Sequence, residues 1–292
     1  MTPFELAEPR SLKEAISLLD PEDETVRPIS GGTALMLMMK AGVFRPTRLV
    51  SLRRIEGTDA VALGSDGGLQ LGALATLGTL ERTKGLRDAF PVIAQTLRTL
   101  SNVRVRNVAT IGGNLAHADP HMDLPPVLAA LGAQVTIAGL TGERTVACEH
   151  LFTGYYETVL ARNELIAKVA VPPLGGKRAA YVKVTTRSAD DWPALGIAVC
   201  LDAQGRDVRA ADVFVSAATE KPIRLKGAEA ALRGAQADEA TLKRAGEAGS
   251  QEVETMADAR GSASYKKELV RVFVARAVRK ALGLGDAQGR AA

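Results

Sequence analysis

Residues 108–126, V-A-T-I-G-G-N-L-A-H-A-D-P-H-M-D-L-P-P, gather many groups able to do chemistry in one short stretch. Gly112 and Gly113 stand beside Asn114, followed by His117, Asp119, His121 and Asp123, with Pro125-Pro126 closing the run. Glycine has no Cβ, so it permits positive φ and lets backbone N–H groups come close to a ligand. Successive N–H groups in such a turn can form a concavity for an anion, commonly a phosphate. A second glycine turn, Ser30-Gly31-Gly32-Thr33, lies much earlier. Each turn also carries hydroxyls: Ser30 and Thr33 in one, Thr110 in the other. Together they suit a ligand with two phosphates, approached from two lobes. Neither G-x-G-x-x-G nor a Gly-Lys-Ser/Thr P-loop run is present. The expected ligand is therefore a diphosphate nucleotide held in a non-Rossmann manner.

His117 and His121 are four apart, a spacing that binds metal on a helix, but Pro120, Pro125 and Pro126 argue against one continuous helix. Loop hydrogen bonds or polar ligand contacts are the better reading of both. Asp123 is placed either to accept a ribose hydroxyl or to cap the helix that follows. No Ser/His/Asp or Cys/His arrangement is convincing, so no catalytic side chain is assigned. Trp192, the sole tryptophan, follows Asp190-Asp191. It reads equally well as an anchor for the last lobe and as an aromatic plate against a planar ring. Tyr155 and Tyr156 are expected to pack between lobes.

These residues need elements to hold them. Ser11 with Glu14 marks a capping box for a helix that Pro21 ends. A buried strand over 26–29 leads into the first glycine turn. Residues 34–40 are apolar on all sides and predict a buried helix closed by Gly42, with a strand over 49–52. In the next lobe, strand patterns fall at 69–73, 135–137, 146 and 165–171, and helices at 76–82, 91–100 and 123–131. The third lobe has strands at 181–184, 195–201 and 213–217. Its helices are expected at 228–232, 239–245 and 262–282, the last with Tyr265, Leu269, Val272, Phe273 and Ala277 on one stripe. The domains are thus read as 1–54, 55–173 and 178–283, with 284–292 a disordered tail.

Composition narrows the classes. The chain has 292 residues, 46% hydrophobic and 24% charged, as expected of a globular protein with more than one lobe. Its net charge of +4 comes from Lys and Arg dispersed among 33 acidic residues, which disfavours a nucleic-acid binder. No apolar run approaches the ~18 residues that a membrane span needs. The first ten residues lack a signal-peptide core, so a cytoplasmic location is expected. Two separated cysteines, Cys148 and Cys200, and three histidines cannot build the usual iron–sulfur or zinc cage. Both thiols are expected to be buried and reduced.

Three stretches, Ser30-Gly31-Gly32-Thr33, Ala109-Thr110-Ile111-Gly112-Gly113-Asn114 and Phe152-Thr153-Gly154-Tyr155-Tyr156-Glu157-Thr158, carry a family resemblance. So does the closing run Asp258-Ala259-Arg260-Gly261-Ser262-Ala263-Ser264-Tyr265-Lys266-Lys267. In these the chain resembles the FAD-binding medium subunit of molybdenum hydroxylases, the xanthine dehydrogenase and aerobic carbon monoxide dehydrogenase family. The resemblance implies an α+β fold: a two-lobed (PCMH-like) FAD-binding domain, then a C-terminal domain of a small antiparallel sheet with helices. It implies FAD contacts from Ser30, Gly31, Gly32, Thr33 and Ala34, and from Thr110, Ile111, Gly112, Gly113 and Asn114. Asp123 would meet the adenosine part, and Lys183, Asp191 and Trp192 complete the implied set. Molybdenum–pterin and [2Fe-2S] clusters would sit on partners, a large molybdenum-binding subunit and a small iron–sulfur subunit, in a dimer of heterotrimers. Electrons would pass from those clusters through FAD to an external acceptor. The alternative is a self-contained FAD-dependent oxidoreductase acting on a small molecule. The extra iron–sulfur cluster of the related hydroxybenzoyl-CoA reductases is disfavoured, because two cysteines cannot ligate it.

Overall fold

A computed structural model describes residues 2–285. The tail expected to be disordered falls, from residue 286 on, outside the described residues. The first sheet is parallel, with strands β1 (Glu5–Ala7), β2 (Val26–Ile29) and β3 (Arg48–Ser51) in the order β1-β3-β2. Parallel neighbours need crossovers, supplied here by helices α1 (Leu12–Ser17) and α2 (Leu35–Lys40). Ser11 caps α1 by accepting the Glu14 N–H at 3.1 Å, while the Glu14 carboxylate reaches back to the Arg10 N–H at 2.8 Å. The helix stops at Ser17, before Pro21.

The expectation of a buried α2 is corrected. Only Met39 is buried, and Leu37 is 66% exposed. A helix of six residues can place only one side against a three-stranded sheet, so Leu35, Met36 and Met38 stay half-buried and Leu37 faces outward. Gly42 follows it at φ +72°, as expected for the residue that ends a helix.

The second lobe opens with β4 (Val61–Leu63) and β5 (Leu69–Gly72). A run of short helices follows: α3 (Leu77–Arg82), α4 (Leu86–Ala89), α5 (Pro91–Thr99), α6 (Val103–Arg106), α7 (Ile111–His117) and α8 (Leu124–Ala130). Then come the hairpin β6 (Gln134–Gly139) and β7 (Gly142–Ala147), a small hairpin β8 (Phe152–Gly154) and β9 (Glu157–Thr158), and β10 (Leu165–Val171). The main sheet is antiparallel, in the order β4-β5-β10-β6-β7. Leu71, Phe90, Ile93, Leu97, Leu115, Leu128, Val135 and Val169 form its core. Each such side chain fully removed from water contributes about 1.5–3 kcal/mol.

The C-terminal unit has strands β11 (Arg178–Val184), β12 (Leu195–Gln204), β13 (Asp207–Ser216) and β14 (Ile223–Arg224) in that spatial order, with β15 (Ala235–Gln236) on β13. Strand period decides how it docks. On β12, Ile197, Val199 and Leu201 pack with its own helices, whereas Ala198 and Cys200 join the core of the second lobe. The helices are α9 (Lys226–Leu232), α10 (Glu239–Glu252) and α11 (Ala263–Leu282). The stripe expected on α11 shifts. Leu269, Val270, Val274, Ala277 and Val278 are buried, while Tyr265 is exposed and Phe273 half-buried. Both cysteines are buried, and burial pushes the Cys148 thiol up to about 12. Among the described residues no helix is long and apolar enough to cross a membrane.

Candidate functional site

The two glycine turns meet. Ser30 Oγ lies 2.9 Å from Thr110 Oγ1. The turn after β2 packs so tightly on the segment before α7 that a Cβ on Gly31 would sit 2.2 Å from the Val108 carbonyl oxygen. On the other side, a Cβ on Gly112 would lie 2.7 Å from that of Ala73. Gly113 faces the seam: its Cβ would be 2.8 Å from Ser30 Oγ and 2.9 Å from Thr110 Oγ1.

The sequence allowed these glycines a positive φ or a close backbone approach, and only Gly32 takes positive φ, at +71°. Gly112 and Gly113 are helical residues within α7. Gly31, Gly112 and Gly113 are required for close approach instead.

The donors also differ between the turns. In the second turn the N–H groups of Ile111, Gly112 and Gly113 are already used. Ile111 donates to the Ala75 carbonyl at 2.9 Å, Gly112 to that of Ala73 at 2.7 Å, and Gly113 to Thr110 Oγ1 at 3.1 Å, capping α7. In the first turn no hydrogen bond of the described residues uses the N–H of Gly31, Gly32, Thr33 or Ala34. The unpaired N–H donors therefore belong to the first turn, and the second contributes a wall with its hydroxyl.

Asn114 closes that wall. Its Nδ2 donates to Met122 Sδ at 3.1 Å, and its buried Oδ1 has no partner among the described residues. A buried acceptor left unmade costs about 1–3 kcal/mol, so the site favours a ligand that brings a donor. A diphosphate nucleotide such as FAD fits these features: free N–H groups and hydroxyls for the phosphates, an unpaired amide oxygen for a hydroxyl, and a floor without side chains.

Asp123 sits at the start of α8 but makes no cap there, against one of the two expectations for it. Its helical backbone angles turn the carboxylate inward, where Tyr181 donates to Oδ1 at 2.7 Å and Lys183 to Oδ2 at 3.0 Å. Burial pushes the Asp123 carboxyl up, opposed by the Lys183 charge and these two bonds. Lys183 also donates to the Thr99 carbonyl at 2.8 Å. Two of the expected contact residues, Asp123 and Lys183, are thus paired with each other across β11 and α8.

Asp191 and Trp192 lie in the turn between β11 and β12, where Asp191 Oδ1 accepts the Trp192 N–H at 2.7 Å. Trp192 is 47% exposed, so it is no buried anchor. Its ring stacks on His121 with centroids 5.5 Å apart and planes at 12°, and the Arg260 guanidinium lies 5.2 Å from its centre.

The histidines left as loop groups by the sequence have distinct places. His117 ends α7 edge-on to Tyr156, and burial lowers its pKa against the pull of Asp119. His121 bonds Asp119 and Asp258. Among the described residues no group of three or more His, Cys, Asp or Glu could hold a metal ion. Tyr155 and Tyr156 are not packed between lobes. Both are exposed on the β8–β9 turn, where Tyr156 takes φ +59° and donates to Asp119 Oδ2 at 3.0 Å. Asp258, Lys266 and Arg260 were missed as partners of this region, since nothing local in the sequence ties them to His121.

Residues 2–174 match the model of the FAD binding domain in molybdopterin dehydrogenase, and residues 180–281 that of the CO dehydrogenase flavoprotein C-terminal domain. The carbon monoxide dehydrogenase medium chain of Afipia carboxidovorans is 30% identical, with 95% of this chain and 96% of that one covered. The glyceraldehyde dehydrogenase medium chain of Sulfolobus acidocaldarius is 29% identical over 95% of this chain and 98% of its own. A solved chain of the carbon monoxide dehydrogenase of Hydrogenophaga pseudoflava superposes with a TM-score of 0.92 at 30% identity, covering 97% of this chain and 99% of that one. Fold, glycine turns and relatives agree: the chain belongs to the family of FAD-binding medium subunits of molybdenum hydroxylases.

Proposed function

We propose that this chain holds FAD in the seam between its glycine turns and serves as the flavin-bearing electron-transfer subunit of a molybdenum hydroxylase. The observation that carries the reading is the Ser30–Thr110 contact, which sets the unpaired N–H groups of residues 31–34 against a wall whose Asn114 Oδ1 lacks a donor. When bound, FAD would supply the redox chemistry, accepting electrons and passing them on. The chain's residues do the rest. Gly31, Gly32, Thr33 and Ala34 would donate to the pyrophosphate, Ser30 and Thr110 would offer hydroxyls, and Gly112 and Gly113 would keep the floor clear. Ile111 anchors that floor from the core.

Asp123, held by Tyr181 and Lys183, would meet the adenosine part, and Asp191 and Trp192 would lie on the side of the flavin ring. The lobes are taken as 1–54 and 55–173, with the C-terminal domain at 178–283. A large molybdenum-binding subunit and a small iron–sulfur subunit complete the proposed complex, a dimer of heterotrimers in the cytoplasm that delivers electrons to an external acceptor. Co-purify the complex, separate its subunits and record each spectrum. Flavin absorption confined to this chain, without iron–sulfur bands, supports the reading. Steady turnover of a small molecule by this chain alone would replace it with a self-contained flavoenzyme.

A further inference from the structure

His121 joins the second lobe to the C-terminal unit through both ring nitrogens. Nδ1 lies 3.0 Å from Asp119 Oδ1, and Nε2 lies 2.8 Å from Asp258 Oδ2, a residue 137 positions away. The His121 backbone N–H also donates to Asp119 Oδ1 at 2.9 Å. A carboxylate oxygen faces each ring nitrogen.

Each carboxylate is itself held. Tyr156 donates to Asp119 Oδ2 at 3.0 Å. Lys266, 1% exposed, has its ammonium 2.7 Å from Asp258 Oδ2 and also donates to the Ala217 carbonyl at 2.8 Å. The Arg260 N–H donates to Asp258 Oδ1 at 2.8 Å. With both ends tied, the imidazole cannot rotate without breaking a charge-assisted bond.

On the face of that fixed ring lies the Trp192 indole. An indole placed for stability alone buries its large apolar surface, yet this one is nearly half exposed. What holds it is local and directional: the stack on His121, the Arg260 guanidinium over its ring, and the Arg260 Nε–H on the Trp192 carbonyl at 3.1 Å. Arg260 in turn shares its loop with Asp258. The same short segment therefore bonds the edge of His121 and covers the ring stacked on it.

We propose that His121 is a positioning residue: tied between Asp119 and Asp258, it is the plate on which Trp192 is set, and through Trp192 it orients the flavin ring. The orienting role rests on the FAD reading above, and the plate itself does not.

Trp192 is the sole tryptophan, so the emission of the full chain freed of FAD reports this ring alone. His121→Phe keeps an aromatic plate without the two ring bonds. His121→Gln keeps a donor without the plate. In H121Q, Trp192 emission should brighten as its contact with the imidazole is lost, and its quenching by acrylamide should rise about twofold, with H121F intermediate.

FAD affinity should fall about tenfold in H121Q, while ADP, which has the two phosphates but no flavin ring, binds as in wild type. Asp258→Asn, which frees one end of the ring, should loosen Trp192 in the same direction and serves if the His121 variants fail to fold. Unchanged Trp192 emission and quenching in the variants would overturn the plate. Equal losses for FAD and ADP would overturn the orienting role. A wild-type chain that binds neither nucleotide would overturn the FAD reading, and the orienting role with it, while the FAD-free emission still decides the plate.

Discussion

The hydroxyl oxygens of Ser30 and Thr110 lie 2.9 Å apart across a sequence separation of 80 residues. That contact turns two ordinary glycine turns into one site. It requires Gly31 to lie against the Val108 backbone, and it leaves Gly113 looking into the space between the lobes.

Gly113→Val places a branched side chain in that space. Its nearest neighbours are two hydroxyls rather than backbone, at 2.8 and 2.9 Å, and the residue is already helical, so the fold should persist. FAD affinity should drop at least about 100-fold, as read by flavin fluorescence titration. Gly31→Ala is the contrasting case, because its Cβ would meet the Val108 carbonyl at 2.2 Å. It should cost about 1–3 kcal/mol of stability in urea unfolding, as overpacking does. A folded G113V variant with wild-type affinity would place the nucleotide elsewhere.

Asn114→Leu removes an acceptor that is buried and unpaired. Without FAD the variant should match wild type to within about 1 kcal/mol, because no satisfied acceptor is lost. With FAD present the thermal shift should shrink markedly. Differential scanning fluorimetry with and without nucleotide separates the two effects, and equal shifts in both proteins would remove Asn114 from the site.

Lys183→Met strands the Asp123 carboxylate, whose side chain is only 5% exposed. Breaking a buried pair from one side costs about 3–5 kcal/mol. The double variant Asp123→Asn, Lys183→Met should recover a large part of that loss. Urea midpoints of both single variants and the double test this, and additive losses would show that the pair is not coupled.

Stability should also fall in acid through Asp258. Burial favours its neutral form, but bonds from Lys266, His121 and the Arg260 N–H outweigh it and hold the carboxyl at about 2, below its ordinary 3.8. A depressed folded value means stabilisation that is complete above the unfolded value and lost as pH falls through the folded one. The midpoint of urea unfolding should therefore decline between about pH 4 and pH 2, and Asp258→Asn should flatten that decline. The same slope in both proteins would assign the acid sensitivity to other carboxylates.

Much of this was legible in the sequence where the signal is local. The residue types of both glycine turns and the cap at Ser11 follow from short-range chemistry. What each glycine does was not legible. A turn can use a missing Cβ for a left-handed angle or for close approach, and only the neighbours of Gly31, Gly112 and Gly113 decide between them. Asp123 carried both a capping and a ligand reading, and the structure gives it to Tyr181 and Lys183, 58 and 60 residues downstream. The partner of His121 is 137 residues away, with no periodicity linking the two. For α2, composition showed an apolar helix but not how little sheet there is to cover it.

The most direct test is a calorimetric titration of the purified, FAD-free chain with FAD. A clamp built from the turns at Ser30 and Thr110 predicts one FAD bound per chain, with ADP competing for the same site. Saturation at one equivalent with that competition is the expected result. A folded chain that takes up no FAD, or one whose FAD is not displaced by ADP, would contradict it.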